Sequence, residues 1–470
     1  MAESTASSPS PLKEITQPFI DLVHAPRALW ALNVSYLLEG LTYFGTLTYL
    51  AMYFNQLVGL DDVRAGWMVG VLTSGITFSM LFFGPRVDAW GLRKTLVVAL
   101  LLMFCGRVVL AVAPRLHLLG GQLGSPLNLL ATGGILLIVV GFGMYQPAIY
   151  AGTRQITTAA TSSMAFAMLY AVNNLGAWLP SFMSPLRKAF GMHGAIGFYA
   201  FVTLLGFLLL FTLLTRPVLE KAMADAKAAA VPEGSETSPE SATKPAVPAA
   251  SAKGPLGARM MAWLKAHPLA DAKFSFFIFC LIPVQTLFAY QWLVIPQYVA
   301  RAFAGSKVGE NFEVASNLSC LLIFILCPMV AALTTKAKVY HMMIYGTAVM
   351  ALGAFLLAPG PTVGGLFSFI LVMSIGEAMW QPRFLQYAAE IAPEGRTGAY
   401  MGVAQFPWFL TKMLVPLYSG ACLARWCPEP GKGLQQTGLM WLVFGCIAAA
   451  STVFLVAAKG WLGKDFKTKA

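Results

Sequence analysis

Twelve apolar stretches of about 20 residues recur along this chain from Trp30 onward, and they decide its fold class before any motif is read. Each is long enough to cross the hydrocarbon of a bilayer as a helix. They fall at about 30–57, 64–85, 93–113, 127–152, 161–186, 195–215, 271–302, 309–334, 340–358, 363–391, 397–424 and 437–459. Only 11% of the residues are charged and 57% are hydrophobic, whereas a soluble protein keeps roughly a quarter charged. The expectation is an all-α membrane protein with 12 transmembrane helices.

The segment MAESTASSPSPLKEITQPFIDLVHAPR has no apolar core before Trp30, so it reads as a short tail and interfacial turn rather than a cleaved signal peptide. Residues 218–270 form the one long polar interruption, rich in Ala, Pro, Ser and Lys. Their composition suits a flexible linker with a short helix near 219–230. The chain is thereby divided into a tail (1–29), a six-helix bundle (30–217), a linker (218–270), a second six-helix bundle (271–460) and a final tail (461–470).

The net charge of +12 invites a nucleic-acid reading, but its distribution argues for topology instead. Lys and Arg crowd the segments that share a side with the termini, twenty-one against eight in the opposite loops. By the positive-inside rule both termini, and the linker, are expected in the cytoplasm. A cell-membrane (plasma or inner) location follows, with the bilayer and a small-molecule substrate as partners, no nucleic acid, and a monomeric state.

Seven cysteines lie mostly within spans, where they act as small apolar groups. Cys422 and Cys427 share a loop region and are read equally as a pair or as two free thiols. No metal or cofactor site is indicated, and no catalytic constellation is visible. The five histidines lie in loops or at span ends, without an HExxH, CxxC or nucleophile elbow. An enzyme is not expected.

The phrase GFGMYQP at 141–147 returns as GEAMWQP at 376–382, in the fourth span of each half and in the same direction. Parallel six-helix repeats require that placement. Phe142 in the first copy is answered by Glu377 in the second, which gives the second half a charge. Ionisable groups at membrane depth are functional by default, the alternative being an interior ion pair. Glu39 and Glu377 are the deep acids; Arg107, Arg383 and Lys412 are the deep bases and possible charge partners. Ser35, Glu39, Thr42 and Thr46 share one helix face, flanked by Tyr36 and Tyr43, and are expected to line a wet cavity. Tyr170, Asn173 and Asn174 in the fifth span, Gln285, Tyr290 and Gln291 in the seventh and Asn317 in the eighth serve as ligand contacts or as glue between helices.

Between spans two and three, GPRVDAWGLRK carries Gly84, Asp88, Gly91, Arg93 and Lys94, which resemble the inner-loop motif of the major facilitator superfamily. The glycines permit a tight turn and Asp88 can cap a neighbouring helix, so the set is read as a conformational latch. HAPRALWALNVSYLLEGLTYFG (24–45), GFGMYQP, LYAVNNLGA (169–177), SNLSCLLIFILCP (316–328) and GEAMWQP with AAEIAPEGRTGAYMG together resemble the proton-coupled oligopeptide transporters.

That resemblance implies the major facilitator fold, two six-helix halves and proton-driven uptake of small peptides or related solutes by alternating access. It makes Glu39 and Glu377 proton-coupling residues, with Glu377 receiving the substrate amine, and Tyr43, Asn174 and Asn317 substrate contacts. Tyr36, Gln146, Tyr170, Gln291 and Gln381 complete the expected substrate-binding set. The departures matter equally. Tyr36 and Gly40 replace two members of the family's Glu-x-x-Glu-Arg triad, Gln146 replaces the fourth-span lysine, and the positive clamp for a peptide carboxylate is missing. Arg107, Arg383 or Lys412 supplies that charge from another helix, or the substrate has no carboxylate there. The sequence favours the second, with Lys412 pairing to a neighbouring helix. A uniporter or exporter of another small metabolite, and a non-transporting receptor, are the alternatives.

Overall fold

The computed structural model describes residues 27–83, 90–157, 159–228, 268–334, 337–390, 403–404 and 406–462. The first half contributes α1 (Arg27–Gln56), α2 (Asp62–Phe83), α3 (Leu92–Val112), α4 (Pro126–Gln155), α5 (Ala159–Trp178) and α6 (Ser184–Leu213). An amphipathic helix, Arg216–Ala228, follows. In the second half α7 runs in three segments, Ala272–Phe279, Ile282–Leu293 and Ile295–Ala302. Then come α8 (Phe312–Leu333), α9 (Val339–Phe355), α10 (Val363–Glu390), α11 (Phe406–Trp426) and α12 (Thr437–Ala457). No strand occurs among the described residues.

Proline sets three departures from the expected spans. Pro283 and Pro296 each stand in the first turn of a segment of α7, where the missing N–H costs nothing inside the new segment but ends the old one. The continuous 271–302 helix is therefore broken twice. Pro180 likewise lies in the 3-10 turn Leu179–Phe182 that ends the fifth span at Trp178, earlier than residue 186. A third break, in α6, falls at Gly191, whose φ of 72° opens a kink.

Packing repeats between the halves. α3 lies against α4 and α6, α2 against α4, and α1 against α5 and α6. The second half answers with α9 against α10 and α12, α8 against α10, and α7 against α11 and α12. Across the seam α2 meets α11 and α5 meets α8, the same contact with the halves exchanged. The sequence echo has its cause here. A side chain at Gly141 would strike the Ala99 carbonyl of α3, 2.7 Å away, and one at Gly376 the Gly346 carbonyl of α9, also at 2.7 Å. Small residues let two transmembrane backbones approach this closely. Tyr145 and Trp380 are both fully buried, and Pro147 and Pro382 both stand inside their helices.

Candidate functional site

Glu39 is not at a wet surface. Its carboxylate accepts from Arg107 through both oxygens, at 2.5 and 3.1 Å, and from the Thr42 hydroxyl at 3.0 Å. Arg107 also donates to Thr203 Oγ1 at 2.6 Å, so α1, α3 and α6 are tied through one charge pair. Glu39 is 2% exposed and Arg107 0%. The remaining stripe is equally dry: Ser35 bonds the Tyr145 hydroxyl at 2.8 Å, and Thr46 donates to the Thr42 carbonyl. The expectation of a wet cavity along this face is corrected; the stripe is the polar core of the first half. A buried charge needs a partner of this quality to persist.

Beside it lies an aromatic cluster. Tyr36 stacks on Tyr145 and meets the Tyr150 hydroxyl at 3.3 Å; Gln146 Nε2 also donates to that hydroxyl. Tyr43 stacks on Phe142 with ring centres 4.5 Å apart. Phe142 thus fills with an aromatic contact the place that Glu377 takes in the second half.

Glu377 and Lys412 have different surroundings. Both are half-buried, and neither side chain has a hydrogen-bonded or ion-pair partner among the described residues. Glu377 lies within electrostatic reach of Tyr170 on α5, across the seam, and of Cys320 and Cys327 on α8. Tyr170 is 48% exposed, and Asn174, one turn on, donates to its carbonyl at 2.9 Å. One turn beyond Glu377, Gln381 has a buried Oε1 without a partner. The Lys412 ammonium stands over the Trp408 ring, 5.5 Å from its centre. The expected acidic partner on a neighbouring helix is absent among the described residues.

The remaining expected residues have structural partners. Arg383 donates to the Thr334 carbonyl at 2.8 Å, beside the end of α8. Asn317 donates to the Glu313 carbonyl at 2.8 Å and accepts from Thr48 across the seam at 3.4 Å. Gln291 accepts from Ser319 at 2.6 Å and reaches the Met373 sulfur. Of the latch residues, Gly84 and Asp88 lie outside the described residues. Gly91, at φ 81°, caps the start of α3. Arg93 donates to the Leu214 and Phe211 carbonyls at the end of α6, where a cation suits the helix dipole. Lys94 stands over Trp90.

Sequence reasoning counted Arg187, Lys188 and Arg301 as loop charges and passed over the acids they meet across the halves. Arg301 grips Asp62 with two bonds of 2.7 Å, both side chains nearly buried. Arg187 pairs with Glu313, which also accepts from Tyr49 at 3.0 Å, and Lys188 reaches Glu310 at 3.1 Å. Beside them Gly70 packs against Pro416, and Thr73 donates to the Lys412 carbonyl at 3.2 Å. The Thr73 contact falls midway along α2, but the ion pairs lie toward one end of the bundle, where α1 finishes and α2 begins. A cavity of about 350 Å³ opens there, between Met52, Gln56, Gln297, Arg301 and Glu429. The signal available in the sequence was the presence of acids at the starts of the second and eighth spans; which base each one meets was not encoded locally. Cys422 and Cys427 are free thiols.

Comparison with known proteins agrees with this architecture. The family model of the Major Facilitator Superfamily matches residues 9–416. The multidrug resistance protein MdtH of Citrobacter koseri is 24% identical over 193 residues, 41% of this chain and 45% of MdtH. MdtH of Salmonella paratyphi B is 23% identical over the same length. The chain therefore matches less than half the length of these curated relatives. Among solved structures, a peptide transporter POT in complex with sulfate superposes with a TM-score of 0.67 at 17% identity, covering 94% of this chain and 96% of that one. A POT family transporter in complex with 5-aminolevulinic acid gives 0.67 at 14% identity, covering 93% and 97%. At such identities the likeness is one of fold. This chain, with two matched six-helix halves around a seam, belongs to the Major Facilitator Superfamily and is a multi-pass membrane transporter rather than an enzyme.

Proposed function

We propose that the protein moves a small peptide-like or amine-bearing solute across the cell membrane by proton-coupled symport, through alternating access at a site between the halves. The observation that carries this reading is Glu377. It is a carboxylate midway along α10, half-buried at the seam, uncompensated by any base among the described residues and within electrostatic reach of Tyr170 of the other half. A carboxylate so placed attracts an ammonium group when ionised and takes up a proton when the site is empty, which are the two events that symport must couple. Glu39, already compensated by Arg107, acts in this reading as a fixed charge that holds the first half together. With both termini in the cytoplasm, the end held by Asp62–Arg301 faces outward in this reading.

Proteoliposomes carrying the wild-type protein, screened with peptides, amino acids, amines and nucleosides, should show solute-driven proton entry. Glu377→Gln should abolish accumulation against a gradient while leaving the protein folded, because it removes only charge and titration. Undiminished accumulation by that variant would refute the coupling role. Export of an amine-bearing solute is the second reading, favoured by the sequence match to MdtH. It predicts that in inside-out vesicles with an acidic lumen the proton gradient drives the solute into the lumen, whereas symport drives it out.

A further inference from the structure

Three bases lie at membrane depth, and the structure separates them. Arg107 is sealed against Glu39 and has no exposed surface. Arg383 donates to Thr334 beside the end of α8. Lys412 alone of the three stands half-buried at the seam with no carboxylate beside it among the described residues.

Its position matches that of Glu377. Glu377 lies fourteen residues into α10 from Val363, and Lys412 lies fourteen residues before the end of α11 at Trp426. Both of those helix ends are at the sealed end, where Gly420 approaches Asp62 and Gly438 approaches Ala358 of the α9–α10 turn. At 1.5 Å per residue the two charges share a depth of about 21 Å. Laterally they stand at opposite margins of the second half. Glu377 is beside α8 and across from α5. Lys412 shares its helix face with Phe409 and Pro416, which pack against Phe78 and Gly70 of α2. An aromatic row spans the interval: Trp408, beneath the ammonium, stacks on Phe288 of α7 at 4.9 Å, and Phe288 meets Trp380, one turn from Glu377, at 6.1 Å.

We infer that Glu377 and Lys412 are the two poles of one site, the acid receiving an ammonium group and the lysine a carboxylate, so that the transported solute is a zwitterion. This rests on the amine-receiving role of Glu377 proposed above and adds the missing positive clamp, supplied by α11 of the second half. It overturns the sequence-based preference for a solute without a carboxylate, which assumed that Lys412 was paired. An uncompensated ammonium at this depth is costly to keep. A cation–π contact recovers only part of that cost, and a substrate carboxylate supplies the remainder.

The test is equilibrium binding of three matched probes at one pH: alanyl-alanine, its C-terminal amide and its N-acetyl derivative. The wild-type protein should prefer the free dipeptide over the amide by about tenfold or more. Lys412→Gln should erase that preference by weakening the free dipeptide and sparing the amide, and Lys412→Arg should restore it. Glu377→Gln should weaken the two amine-bearing probes and spare the N-acetyl form. Amide binding equal to or tighter than that of the free dipeptide in the wild type, which needs no variant to fold, overturns the two-pole site. If Glu377→Gln still weakens the amide in that case, the amine-receiving reading survives alone. Binding of none of the three overturns the inference as well.

Discussion

Removing Arg107 should cost more than any other single charge change in this protein. Arg107→Met keeps most of the side-chain volume but withdraws two bonds from the Glu39 carboxylate and one from Thr203. Glu39, 2% exposed, would then be left with the Thr42 hydroxyl as its side-chain donor. Breaking a buried pair in this way costs about 3–5 kcal/mol, because an uncompensated charge remains. Glu39→Gln leaves Arg107, 0% exposed, as the uncompensated charge, so it should cost about 3 kcal/mol, the lower end of that range, since the amide oxygen can still accept from the guanidinium. The double variant places neutral groups on both sides and should be less destabilised than Arg107→Met alone. The assay is denaturant unfolding in detergent micelles for all four proteins of the cycle. Strictly additive losses would mean that Glu39 and Arg107 do not share one energetic unit, and the reading of this pair as a structural clamp would fail.

Asp62→Asn should loosen the sealed end, because Arg301 would lose its anionic partner while remaining buried. In a variant keeping Cys427 as its sole thiol, modification by a membrane-impermeant maleimide should speed up about tenfold, since Arg301 also caps the Cys427 carbonyl at 3.1 Å; an unchanged rate would show that the pair seals nothing. Gly141→Val and Gly376→Val should each cost at least about 1–3 kcal/mol by forcing α4 from α3 and α10 from α9; monodisperse, normally stable protein by size exclusion and thermal melting would contradict the close approach. Outside the spans, Lys432 donates to Glu429 at the surface and holds its carboxyl below the usual range. The depressed value means that this stabilisation is fully present above the unfolded carboxylate range and is lost as the pH falls from there through the lowered folded value. Glu429→Gln should therefore change stability by less than about 1 kcal/mol at neutral pH and by nothing in acid, which a pair of melting curves at two pH values checks.

The spans, their repeat and the acid at 377 were legible because each depends on local composition or on a phrase repeated at corresponding places. Partners were harder. Glu39 announces itself within YLLEGLT, but nothing near it says that Arg107 lies opposite, since that meeting depends on how α1 packs across α3 and α6. The same holds for Asp62 and Arg301, which stand 239 positions apart. The breaks in α7 were open to a local reading through Pro283 and Pro296. Hydropathy hid them, because apolar residues fill both sides of each break.

The two halves resolve the expense of membrane charge in opposite ways, and this difference follows from the broken echo. In the first half the position after the shared glycine is Phe142, which stacks on Tyr43 and completes a dry wall. Charges there meet inside one bundle, Glu39 with Arg107, and bind its helices into a rigid body. In the second half the same position is Glu377, and the charges at 377 and 412 stand at the seam apart from each other and from any other partner among the described residues. A half with internally satisfied charge can rock without changing its own energetics. A half with two open charges changes its electrostatic energy whenever a proton or a solute arrives. Only the second can bias the equilibrium between outward-facing and inward-facing states, since a ligand shifts such an equilibrium by no more than its differential interaction with the two. It follows that converting Phe142→Glu would place an unpaired acid in the first half's dry wall. That variant should lose folded protein rather than gain a second coupling site; a well-folded variant with enhanced proton flux would refute the assignment of rigid and responsive halves.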